Sequence, residues 1–126
     1  MNSKPTAVVL FAHGSRDPLW RTPIDAVASE MVRQSPHTAV HCAFLELTEP
    51  SLPDCVQALV VQGHQRIRIV PMFLGVGRHA REDLPQLVAD LRMQHPQLAL
   101  QLCPSIGEDP ELTRAMAQIA LKADSE

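Results

Sequence analysis

Residues 6 to 12, TAVVLFA, are a continuous apolar and β-branched run that stops at His13-Gly14. Such a run fits a strand covered on both faces, as in a parallel sheet with helices above and below it. Three further strand-like runs follow, at 38–45 (TAVHCAFL), 66–74 (RIRIVPMFL) and 97–103 (QLALQLC). The last of them alternates more strongly, which suits an edge strand with one wetter face. Between and after the strands lie amphipathic segments. Thr22 is expected to cap a helix with Pro23 at its first position, an apolar stripe of Ile24, Val27, Met31 and Val32, and an end at Gln34. Ser51-Leu52-Pro53-Asp54 opens a second helix that presents Val56, Leu59 and Val60 and ends at Gly63. A third carries Leu84, Leu87, Val88 and Leu91, with Asp83 a plausible N-cap, and a fourth starts at Asp109-Pro110 and shows Leu112, Met116 and Ile119.

The order is therefore βαβαβαβα, which calls for right-handed crossovers and an α/β fold. We expect a three-layer, flavodoxin-like arrangement: a four-stranded parallel sheet in the order 2-1-3-4 with helices on both faces, residues 1–126 forming one domain. In that order strands 1 and 3 are neighbours and the chain winds outward from them, opening a crevice at their carboxyl ends where open α/β sheets bind ligands.

Composition narrows the function. Eleven Lys+Arg against 14 Asp+Glu give a net charge of −3, which argues against nucleic acid as the main ligand and makes any anion site local. The sequence has no run of about 18 apolar residues to span a membrane, and its first apolar stretch is strand-length, which points to a cytoplasmic protein without a signal peptide. Cys42, Cys55 and Cys103 are widely spaced with no CxxC pair, and read as buried thiols.

The chemistry-bearing residues gather after strands 1 and 3, in HGSR (13–16) and GVGRHAR (75–81). His13 and His79 are 66 positions apart, yet the expected strand order places them on one crevice. Neutral imidazole binds divalent transition metals and also accepts protons near neutral pH, so both roles are open to each. Gly14, Gly75 and Gly77 allow unusual backbone angles and close approach of a ligand, or simply punctuate turns. Arg16, Arg78 and Arg81 could grip carboxylates or phosphates from the rim, or lie solvated on the surface. Glu46 ends strand 2 and offers a carboxylate beside strand 1. The loop from His13 to Arg21 is longer than the usual two to six or so residues. It contains Trp20, which could stack on a planar ligand, serve a dimer contact or act as a hydrophobic staple. His37 and His41 lie on a strand at a spacing of about 13 Å, too far to share an ion. His64 and His95 read as cations suited to helix C-termini.

Taken together, FAHGSRDP, AFLELTEPSL and VPMFLGVGRHAREDLP resemble the three signature segments of the small sirohydrochlorin chelatases of the CbiX and SirB type, and the likeness runs through essentially the whole chain. The resemblance implies a chelatase-like half that inserts cobalt or iron, and in some archaeal relatives nickel, into sirohydrochlorin without ATP, in cobalamin or siroheme biosynthesis. It assigns the active-site histidines to His13 and His79 and the carboxylate to Glu46; we expect the surrounding Gly14, Ser15, Arg16, Gly75, Gly77, Arg78 and Arg81 to contact the substrate, whose carboxylates would give the arginines a purpose. The divalent metal is then a substrate, no tightly bound cofactor is expected, and a single-lobe chain is expected to form a homodimer. Two other readings compete. One is a non-catalytic tetrapyrrole or metal carrier using the same crevice. The other is an enzyme of phosphorylated metabolites with a nucleophilic histidine, although Ala12 stands where the histidine phosphatases have arginine.

Overall fold

The computed structural model describes residues 4–122, except the side chain of His79. The strands are β1 (Ala7–Ala12), β2 (Val40–Phe44), β3 (Arg66–Pro71) and β4 (Ala99–Leu102), and the helices α1 (Thr22–Gln34), α2 (Leu52–Val61), α3 (Arg78–Gln94) and α4 (Pro110–Leu121). All pairings are parallel and the sheet order is β2-β1-β3-β4, as the alternating sequence pattern required.

Every residue of β1 is buried, which is why its sequence shows no alternation. Ala7, Val9 and Phe11 enter the main core with Ile67, Ile69 and Leu100, and α2 and α3 close that face with Leu52, Val56, Leu59, Leu84, Val88 and Leu91. Each fully buried side chain of this size contributes about 1.5–3 kcal/mol from removal of apolar surface from water. On the other face α1 packs over β1 and β2. Arg68 and Gln101, in register with each other across β3 and β4, remain exposed and share a 3.1 Å hydrogen bond.

Several boundaries depart from expectation. Thr22 is the first residue of α1 and not its cap; Arg21 precedes it, closing a 3-10 turn over Pro18–Arg21. The stripe of α1 does not become core: the helix buries no residue, and Val27 and Val32 stay 39% and 48% exposed. Strand β3 ends at Pro71, three residues early, and α3 begins at Arg78. Asp83 is therefore inside the helix, and Gly77 stands at its N-cap. By contrast, Ser51 caps α2 by accepting from the Asp54 amide at 3.2 Å, and Asp109 caps α4.

Candidate functional site

The first two loops are locked together through their backbones. Beyond the paired strands the ladder continues, with Leu45 N–H donating to Ala12 O at 2.9 Å and Glu46 N–H to His13 O at 3.1 Å. Gly14 follows with φ +101°, and a Cβ on it would lie 1.7 Å from the Glu46 carbonyl oxygen, so glycine is required at this crossing. One residue further on, Thr48 Oγ1 accepts from Ser15 N–H at 3.0 Å and donates to Ser15 O at 2.9 Å. The overlong first loop is anchored from outside: Trp20 meets the Phe44 ring edge-on at 6.1 Å, and the Arg21 guanidinium sits 4.8 Å over that ring while paired with Asp25. Trp20 thus packs on the end of β2, a contact outside the roles expected for it.

This scaffold brings His13 and Glu46 together as an exposed pair. His13 Nε2 lies 3.5 Å from Glu46 Oε1, and the two side chains are 57% and 54% exposed. Nδ1 of His13 is 3.3 Å from the Gly14 carbonyl oxygen; with the proton placed there, Nε2 is left as a free acceptor or ligand. Two donors bound tetrahedrally to one first-row ion at about 2.1 Å stand roughly 3.4 Å apart. The spacing of Nε2 and Oε1 therefore suits an ion pair or two ligands of one metal.

The third loop enters alongside. Met72 N–H donates to Phe11 O at 2.7 Å, and Gly107 packs so closely that a Cβ would lie 2.1 Å from Leu74 O. His79 falls in the first turn of α3, on the helix and not in the loop; its side chain is outside the described residues. Arg81, also helical, lines a cavity of about 460 Å³ with Leu74, Val76, Leu84, Cys103 and Glu108. Arg78 is engaged by Glu82 at 3.1 Å, whereas Arg16 is exposed beside His13. Gly75 and Gly77 have open space where a Cβ would stand and no left-handed backbone, so neither conformation nor crowding requires glycine there.

Sequence reasoning missed Thr48 and Gly107. The first lies inside the quoted ELTEPS segment, and its hydroxyl could have been suspected as a turn ligand. The second has no local signal, because its neighbour Leu74 is 33 residues away. His64 also departs from expectation. It is buried, its Nδ1 lacks a hydrogen-bond partner, and burial together with the Lys4 charge lowers its pKa, so it is not a helix-end cation. Burial pushes the Cys55 thiol up to about 11 and raises that of Cys42, which disfavours thiolate ligation by either. Among the described residues no three His, Cys, Asp or Glu side chains converge as a metal-holding group.

A parallel 2-1-3-4 sheet with an ionisable pair at the carboxyl ends of its first two strands defines an open α/β domain of the kind that binds ligands beyond the carboxyl ends of its strands. The particular family follows from comparison: the CbiX family pattern matches residues 7–123, and the chain belongs to the CbiX family. The sirohydrochlorin cobaltochelatase of Methanococcus aeolicus is 33% identical over 82 residues, 65% of this chain and 57% of the relative. The chain thus spans less than two thirds of that relative's length. The structure of a CbiX protein from Marinobacter aquaeolei VT8 superposes with a TM-score of 0.84 at 31% identity, covering 96% of this chain and 98% of that one. SirB from Bacillus subtilis subspecies spizizenii in complex with cobalt gives a TM-score of 0.75 at 27% identity, and SirB from Bacillus subtilis with Fe3+ gives 0.74 at 26%. Each match covers 90% of this chain but only 48% and 45% of the SirB chains.

Proposed function

We propose that this chain, read as one domain, is an ATP-independent sirohydrochlorin chelatase that inserts cobalt or iron, serving cobalamin or siroheme biosynthesis. The observation that carries the reading is the exposed His13–Glu46 pair, 3.5 Å apart at the ends of neighbouring strands. Metal insertion needs an ion held with open coordination positions and a base for two pyrrole protons. His13, Glu46 and His79 supply one to three ligands and the proton acceptor, whereas a closed four-ligand site would retain the metal. Glu46 offsets the charge that His13 gains on taking a proton. Arg16 and Arg81, with the N-terminal amides of α3 where Gly77 provides no side-chain cap, offer donors to the carboxylates around the macrocycle. Gly14 and Ser15 shape the first wall, Gly75, Gly77 and Arg78 the third. The cobalt complex of SirB and the chelatase names of the relatives support this reading.

We further infer a cytoplasmic homodimer. No helix among the described residues is long and apolar enough to cross a membrane. The chain corresponds to about half of SirB, and α4 buries none of its residues, leaving an apolar stripe for a second copy.

The test mixes purified protein with sirohydrochlorin and Co2+, Fe2+ or Ni2+ in turn and follows the change in tetrapyrrole absorption above the spontaneous rate. Metallated product should exceed protein, and His13→Ala and His79→Ala should each lower the rate at least tenfold. Saturation at one ligand per site would identify a carrier and overturn catalysis.

A further inference from the structure

The turn between Glu46 and Thr48 is strained at an exposed residue beside the His13–Glu46 pair. Thr48 N–H donates to Glu46 O at 2.7 Å, closing a three-residue turn, and Leu47 at its centre has φ +63°. A γ-turn with a positive central φ is the rare, strained form, and leucine has neither the missing Cβ of glycine nor the local hydrogen bonds of asparagine to relieve it. Leu47 is the one residue other than glycine with positive φ among the described residues.

Burial does not compensate, because Leu47 is 54% exposed. Instead the strain is imposed from both sides. Glu46 is fixed by its bond to His13 O, Thr48 by its two bonds to Ser15, and Gly14 sits directly against Glu46 O. Strain held this firmly, beside an ionisable pair, is a feature of sites that position a ligand. The surroundings give the ligand's character. Leu45, Leu74 and Leu19, on the loops after β2, β3 and β1, are 42%, 66% and 76% exposed at the same end of the sheet. Four exposed leucines on the loops at the end of the sheet that carries a histidine–carboxylate pair suit a flat apolar ring with polar edges.

We infer that Leu47 is a substrate-contacting, specificity-determining residue. The strained turn presents its side chain as an apolar stop against the face of the bound macrocycle and sets the ring's distance from His13 and Glu46. The inference rests on the chelatase reading above.

Leu47→Gly separates this role from a structural one, since glycine accepts φ +63° without strain. The variant should melt at or above the wild-type temperature, bind Co2+ alone as the wild type does, and lose about 10-fold or more in kcat/KM for metal insertion, mainly through KM. That is the loss expected when one leucine-sized apolar contact is removed. Leu47→Met, which keeps the apolar bulk, should stay within about threefold. A Leu47→Gly rate within twofold of wild type, or a lowered melting temperature that accounts for the lost activity, overturns the inference. Glu46→Gln and His13→Ala serve as controls: if they too retain full activity, the chelatase site itself is misplaced, and if only Leu47→Gly does, this inference alone fails.

Discussion

Gly14→Ala tests how tightly the first two loops cross. The new Cβ would stand 1.7 Å from the Glu46 carbonyl oxygen, about half a normal carbon–oxygen contact, and the obstacle is backbone that cannot rotate away. Alanine must also adopt φ +101°. A backbone forced into such a region costs about 1–3 kcal/mol. Overpacking against fixed atoms typically adds about 1–3 kcal/mol. The combined destabilisation is therefore roughly 2–6 kcal/mol, a large part of the 5–15 kcal/mol or so that holds a domain of this size together. The alternative is for the loops to separate, which breaks the Glu46 N–H to His13 O bond and the Thr48–Ser15 clamp and moves Glu46 away from His13. Either way activity should be lost. Gly75→Ala is the matched comparison, because its Cβ would meet nothing within 4 Å and its φ is not left-handed. Urea unfolding followed by circular dichroism should place Gly75→Ala within about 0.5 kcal/mol of wild type. Equal midpoints for Gly14→Ala and wild type, with unaltered activity, would refute the argument.

Two further outcomes follow from other regions. The pKa of His64 is lowered by burial, then by Lys4 and His41 and against a hydrogen bond with the Pro5 backbone, so the unfolded chain takes up its proton first as pH falls. Its contribution is fully present above the unfolded value of about 6.5 and lost below it; unfolding free energy should drop between pH 7.5 and 5.5, and more steeply in wild type than in His64→Asn, with equal slopes counting against the assignment. On α4, Met116 and Ile119 are 36% and 64% exposed, and Met116→Asp with Ile119→Asp should convert a dimer to a monomer in sedimentation velocity while leaving the melting temperature of the monomer unaltered. A dimer that survives both substitutions places the interface elsewhere.

The sheet was legible because β1 is buried along its whole length and the helices carry clear periods and caps, so element order alone restricted the topology. Where the reading failed, a local rule was overridden by a distant partner. Asp83 looked like a cap because Gln86 follows three residues later, yet α3 starts five residues earlier, at Arg78. The stripe on α1 looked like core, but its side of the sheet leaves Arg68 and Gln101 exposed. His13 and Glu46 could be paired from the strand order, since both follow neighbouring strands. Leu47 could not, because a positive φ at leucine is dictated by hydrogen bonds on either side of it and leaves no compositional mark.

The site divides its rigidity unevenly. What is fixed is backbone: the continued ladder at Leu45 and Glu46, the Gly14 crossing, and the two bonds between Thr48 and Ser15. What is free is side chain, since His13 and Glu46 remain more than half exposed and Leu47, between Glu46 and Thr48, is exposed too. A resident metal ion would call for the opposite arrangement, with ligands oriented by further hydrogen bonds and shielded from water. An ion that must arrive hydrated, exchange water for a ring's nitrogens and leave with the ring is better served by ligands whose Cα positions are fixed and whose tips can move. On the proposed reading, the fold sets the distance between the donors and the substrate would complete the coordination.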